Sequence, residues 1–226
     1  MRTSRAVAPG LPHHVLQFGN YGHPVFEEAG DYEIYLGWLA EYSKRFSVDI
    51  WAYCLMPNHV HHVCVPHTAT GLARTFNTLH MRYAQHFNSQ HRVQGHLWQG
   101  RFYSSILDDA HAFEAVRFVE TNPVRWRLVD DAPAYPWSSA RSHATDSIDP
   151  VLQDGSPLSA RVTDWAVYLQ SPCDVAAVDA LRKNMKTGKP SGSLEFVKQL
   201  EALLGKKLER KPRGRPRKTA NVQENI

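Results

Sequence analysis

His59 and His61 stand two apart in the run Pro57-Asn58-His59-Val60-His61-His62-Val63. Side chains alternate faces along a strand, so His59 and His61 point one way and Val60 and His62 the other. Two imidazoles on one strand face can chelate a divalent ion. The plainer alternative is a pair of partly exposed strand histidines, because eight of the 13 His fall between His59 and His96. A third candidate ligand comes from later in the chain. Asn122 offers an amide oxygen, which suits a hard cation. Phe118 lies four residues earlier and shares its face if the helix stays regular to its end, although Pro123 opposes helical geometry there.

The elements that must position these side chains are legible from periodicity. Residues 13–20 read as a strand, closed by the turn signals Gly19-Asn20, Gly22 and Pro24. Tyr35, Trp38, Leu39, Tyr42 and Phe46 mark one face of a helix within 31–46. Residues 48–56 and 59–65 form two apolar runs around Met56-Pro57-Asn58, the pattern of a hairpin. Leu72, Phe76, Leu79, Tyr83 and Phe87 mark a second helix. Residues 102–107 suggest a strand, and 110–121 a helix ended by Pro123. The order strand, helix, strand, strand, helix, strand is the split βαβ arrangement of an α+β, ferredoxin-like antiparallel sheet, with one helix added.

Four ordered motifs then identify a resemblance. They are the run 52–61 ending in His59-Val60-His61, Gly95-His96-Leu97-Trp98-Gln99-Gly100-Arg101-Phe102, Asn122-Pro123-Val124-Arg125, and Trp137-Ser138-Ser139. Together they make the chain resemble the REP-associated tyrosine transposases and related single-tyrosine transposases of the HUH nuclease superfamily, over residues 11–143. The resemblance implies a ferredoxin-like sheet, with His59 and His61 as metal ligands and Asn122 completing the site for Mg2+ or Mn2+. It also implies attack by a helical tyrosine on single-stranded or hairpin DNA, leaving a covalent 5′-phosphate link. That link would split one hard step into two easier ones.

The tyrosine position is occupied by Phe118, in Arg117-Phe118-Val119-Glu120-Thr121-Asn122-Pro123. Phenylalanine fills nearly the same volume but has no phenolic oxygen to attack phosphorus. Three readings stay open: a cleavage-dead DNA-binding relative and regulator, a substitute tyrosine such as Tyr103 or Tyr83, or hydrolysis by a metal-activated water. Phe18 also departs from the pattern, standing where relatives often carry Arg. Trp98 and Arg101 are the domain's candidate DNA contacts, Trp98 by stacking on unpaired bases, with core packing as the alternative for Trp98 and Phe102. A metal-dependent hydrolase of small substrates would need a general base, and no carboxylate is placed to serve.

The 226 residues hold 26 Lys and Arg against 22 Asp and Glu. This charge is unevenly spread. Residues 206–218 carry eight basic side chains against Glu209, a net +7, which leaves the rest of the chain at −3. Within the tail, Pro212-Arg213-Gly214-Arg215-Pro216, with Arg217 beyond, resembles an AT-hook core. There a glycine would let the backbone approach the narrow A·T minor groove, with arginines lying along it. The expected organisation is a transposase-like domain at 11–143, a linker at 144–173, a helical extension at 174–205 and a basic tail at 206–226. Lys186-Thr187-Gly188-Lys189-Pro190 in the extension is similar to a segment of one branch of the family. Three scattered Cys and no apolar run of membrane length point to a cytoplasmic, nucleoid-associated protein, monomeric or homodimeric, with no membrane partner. Deleting the residues after Leu208 is expected to weaken duplex DNA binding and flatten its salt dependence in a filter-binding titration; an unchanged slope contradicts the AT-hook assignment.

Overall fold

The computed structural model describes residues 5–145, 147–153, 157–158 and 160–208. Strands β1 (His13–Phe18), β2 (Val48–Met56), β3 (His59–Pro66) and β4 (Tyr103–Ile106) form one sheet in the order β2-β3-β1-β4. Every neighbouring pair is antiparallel, so the sheet has the ferredoxin-like order expected from the sequence. β3 is buried along its whole length, and its register with β1 sets Leu16 opposite His61 and Phe18 opposite His59. A bulge at Trp51 shifts the register between Ile50 and Ala52, adding local twist to an otherwise regular hairpin. At the end of β1, Gly19 allows a close approach: a Cβ there would lie 2.3 Å from the His23 carbonyl oxygen.

Helices α1 (Ala29–Arg45) and α2 (Gly71–Gln90) cover one face of the sheet. Val15, Val60, Cys64 and Leu55 from the strands join Tyr35, Leu39, Phe76 and Leu79 from the helices in one apolar cluster. α1 begins with a reciprocal cap between Glu28 and Asp31, which satisfies otherwise orphaned N–H groups. Helix α3 (Asp109–Glu120) lies on the opposite face, where Ala115, Val116 and Val119 meet Ala52, Cys54 and Val63. Asp108 caps α3 by accepting from the His111 N–H. The chain then turns at Thr121 into the single-turn α4 (Asn122–Arg125), with Pro123 in its first turn. Pro123 therefore divides one helix into two and does not simply end it.

The remaining segments wrap this frame. Residues 137–139 pair with the outer edge of β2, through Leu55 N–H to the Trp137 carbonyl and Ser139 N–H to the Tyr53 carbonyl. Short helices α5 (Ala140–Thr145) and α6 (Trp165–Gln170) follow. Helix α7 (Val175–Thr187) packs on α3 and β4, contributing Val178 and Leu181 to the second core cluster. Helix α8 (Leu194–Leu204) places Leu200 against Ile106. The joint between them runs beside β4: Ser191 N–H donates to Ile106 O, and Asp108 N–H donates to Ser191 O. The helical extension thus shares its core with the sheet. Among the described residues no helix is long and apolar enough to cross a membrane.

Six histidines lie in this interior, and burial holds each of them neutral. It pushes His13 and His59 down to about 4 and His14 and His80 down to about 3, and it drives His61 and His62 well below the ordinary range. Their folded pKa values are depressed, so the unfolded chain takes up more protons than the folded one below pH 6.5. Stability therefore falls with acid, by about 1.4 kcal/mol per pH unit for each histidine that titrates only when unfolded. Urea unfolding midpoints are expected to hold steady from pH 8 to 7 and drop steeply from pH 6 to 4.5. Equal midpoints at pH 7 and 5 would contradict this picture.

Candidate functional site

Alternation along β3 places His59 and His61 together on the α3 face, with ring centroids 5.0 Å apart and planes at 84°. His62 points to the other face and packs on Phe76. α4 brings Asn122 to the pair: its Nδ2 lies 3.1 Å from His59 Nε2. His59 Nδ1 lies 2.7 Å from Asn58 Oδ1, which in the assigned amide orientation can only accept. The proton of His59 is thereby held on Nδ1, and the Nε2 lone pair faces Asn122. Burial, with the positive charge of Arg125 close by, pushes the His59 pKa down to about 4 and keeps the ring neutral.

His61 has a partner that sequence reasoning missed. His14 Nε2 lies 2.9 Å from His61 Nδ1, and the two rings stack at 5.1 Å. His14 is on β1, two residues from the direct partner of His61, which makes it a diagonal cross-strand neighbour. The signal in the sequence was a histidine at that offset once the antiparallel β1–β3 register is assumed. Among the described residues, buried His14 Nδ1 has no hydrogen-bond partner. With Nδ1 of His61 engaged by His14, the other nitrogen, Nε2, is the one left to ligate. A ligating imidazole that shares its second nitrogen with a polar group is the usual arrangement around metals.

Phe118 reaches the same place from the last turn of α3. Its ring is perpendicular to His61 at 5.8 Å and edge-on to His14 at 6.2 Å. The guanidinium of Arg125 covers it, 4.1 Å from the ring centroid, and Phe118 is only 6% exposed. Arg125 also donates to the Phe118 carbonyl at 2.6 Å and to Asn122 Oδ1 at 3.1 Å. Burial, reinforced by Arg182, lowers the Arg125 pKa to about 10, so it stays charged at neutral pH. Arg125 is a second residue the sequence reading did not single out. A third is Trp126, which is 58% exposed with its ring 5.8 Å from His59. On the other side, Phe18 tilts against His59 at 5.5 Å, and Tyr103 of β4 meets Phe18 edge-on at 6.3 Å.

The structure separates the other sequence candidates. Trp98, expected among the DNA contacts, is a correction: it is 9% exposed, donates its indole N–H to the His80 carbonyl at 2.9 Å, and packs on His80 at 4.8 Å. It belongs to the cluster under α1 and α2, across the sheet from His59. Phe102 is buried in the same cluster. Tyr83 is also buried there and donates its hydroxyl to the Val25 carbonyl, so it is no substitute for a nucleophile. Tyr103 is on the His59 face, and Arg101 is exposed just before β4. Arg213, Gly214, Arg215 and Arg217 lie outside the described residues.

Two neutral imidazoles suit a divalent cation in donor chemistry, and Asn122 joins them once its amide turns Oδ1, which here accepts from Arg125, toward the pair. Among the described residues no group of three His, Cys, Asp or Glu is placed to hold a metal; the set here is two His and one Asn.

Residues 9–122, just over half of the chain, match the family model for IS200-like transposases. None of the curated proteins matches the sequence. A REP-associated tyrosine transposase, solved bound to a REP hairpin, has a similar fold, with a TM-score of 0.52 and 15% identity. The match covers 68% of this chain and 91% of that one. A candidate transposase from Deinococcus radiodurans R1 matches at a TM-score of 0.38 and 16% identity, over 54% of this chain and 97% of its own.

Proposed function

The chain belongs to the family of IS200-like transposases, and from that premise we propose that it binds single-stranded or hairpin DNA ends without forming a covalent link to them. The observation that carries the reading is Phe118. The sequence resemblance gives its position to the family's nucleophile; its ring lies among His14, His61 and Arg125 and has no oxygen to attack with. The hairpin-bound relative supports the choice of ligand.

In this reading His59, His61 and Asn122 hold Mg2+ or Mn2+. When bound, the ion supplies Lewis acidity toward a phosphoryl oxygen and orients the phosphodiester. The chain's own groups do the rest. His59 and His61 stay neutral and so remain available as ligands at physiological pH. His14 fixes the orientation of His61. Arg125 adds a positive charge beside Asn122, favouring an anionic backbone. Trp126 offers an exposed ring beside His59 for an unpaired base to stack on.

A second reading keeps cleavage and moves the nucleophile to Tyr103, favoured by its place on the same sheet face beside Phe18. A labelled hairpin with manganese separates the two. The native chain is expected to bind it and leave it intact, while Phe118→Tyr forms a covalent adduct. Cleavage by the native chain overturns the proposal, and an adduct that disappears in Tyr103→Phe assigns the role to Tyr103. By calorimetry, His59→Ala is expected to weaken manganese binding beyond detection and His14→Phe by about 10-fold or more. Unchanged affinity in His59→Ala would remove the metal site from the account.

A further inference from the structure

The helical extension and β4 enclose a cleft of about 340 Å3. Six basic side chains line it: Arg5, Arg101, Lys186, Lys189, Lys206 and Lys207. Among the described residues no carboxylate lines it. Cations gathered in a concave surface reinforce one another's field and raise the local concentration of anions.

The fold builds this surface deliberately close to the sheet. α7 ends at Gly188, whose φ of +70° is the left-handed cap that glycine adopts without strain. A Cβ on Gly188 would sit 3.7 Å from the Ser104 carbonyl, so the turn lies directly on β4. Ser105 Oγ donates to the Lys189 carbonyl, and Ser191 N–H donates to Ile106 O. At the far side, the Leu208 N–H donates to the Glu201 carboxylate, which holds the Lys206–Lys207 turn against α8. Arg5 covers the Phe102 ring at 3.8 Å and donates to the Phe102 carbonyl at 2.7 Å.

One wall of the cleft is Tyr103. From there the aromatic contacts continue to Phe18 at 6.3 Å and on to His59 at 5.5 Å. The cationic surface and the histidine site are therefore joined by a line of rings on one sheet face. Cations that follow a backbone, with aromatic rings for bases, are how proteins hold single strands. The cleft has the volume of a small-molecule pocket, enough to seat a stretch of one backbone.

We propose that this cleft binds the phosphodiester backbone of the single-stranded flank of a DNA hairpin and leads that strand across Tyr103 and Phe18 to His59. The inference rests on the DNA-binding reading above and assigns the strand's path. The extension is then part of the DNA site, and its Lys186 and Lys189 act together with Arg101 from the loop before β4.

The test compares the full native chain with Arg101→Ala/Lys186→Ala/Lys207→Ala on two probes: a hairpin with a single-stranded flank and the same hairpin made blunt. All three residues are exposed. The flanked hairpin is expected to bind about 10-fold more weakly, with a salt slope shallower by about 2 units for three lost single-strand contacts. The blunt hairpin is expected to change less than twofold. Unchanged affinity and slope on the flanked probe overturn the proposal, and so does an equal loss on both probes. If the native chain binds neither probe, it is the DNA-binding reading itself that fails. Lys186→Ala alone, on an exposed helix end, guards against misfolding of the triple variant and is expected to reduce the flanked-probe slope by about 0.7 units; no reduction also counts against the cleft.

Discussion

The site depends on the register of β3. This strand lies between β1 and β2 and is buried along its length, so each residue is committed to one of two different cores. Val60, His62 and Cys64 face α1 and α2, while His59, His61 and Val63 face α3. A slip of one residue would exchange the two sets, placing His62 under Phe118 and the two candidate ligands under the long helices. The apolar alternation on one face thus fixes the imidazoles on the other. The antiparallel partner β1 then supplies His14 and Phe18 at the positions that touch them.

In the proposed reading, the same contacts allow the candidate ligands to persist beside Phe118. His61 is tied to His14, Asn122 to His59 and Arg125, and Arg125 to the carbonyl of Phe118. These bonds satisfy buried polar groups, and removing one partner of a buried pair costs about 1–3 kcal/mol. Phe118 itself belongs to the apolar core around α3. Its ring contributes packing and a cation–π contact of about 1 kcal/mol or more with Arg125, neither of which needs a hydroxyl. The packing at this position is therefore complete without a hydroxyl, whereas loss of a histidine or of Asn122 would leave buried hydrogen-bond partners unpaired.

Much of the fold was legible because its signals are local. The hairpin of β2 and β3 announced itself through two apolar runs around Pro57-Asn58, and α1 and α2 through their apolar stripes. The pairing of His59 with His61 needed only the period of a strand. Other features depended on tertiary contacts. His14 became visible only with the β1–β3 register, and Arg125 only with the turn that Pro123 imposes between α3 and α4. For Trp98 the sequence left base stacking and core packing both open, because only the tertiary fold brings its indole N–H to the His80 carbonyl inside the core. The extension read as an appendage because composition changes there; Val178 and Leu181 nonetheless complete the core around α3.

The central claim is an intact ligand set beside an inert aromatic ring, and a crystal structure of the full chain with manganese and a flanked hairpin tests it most directly. The account predicts one ion bound by His59, His61 and Asn122, with an uncut phosphodiester next to it and Phe118 in van der Waals contact. An ion bound elsewhere, or a DNA 5′ phosphate joined to Tyr103, would contradict it.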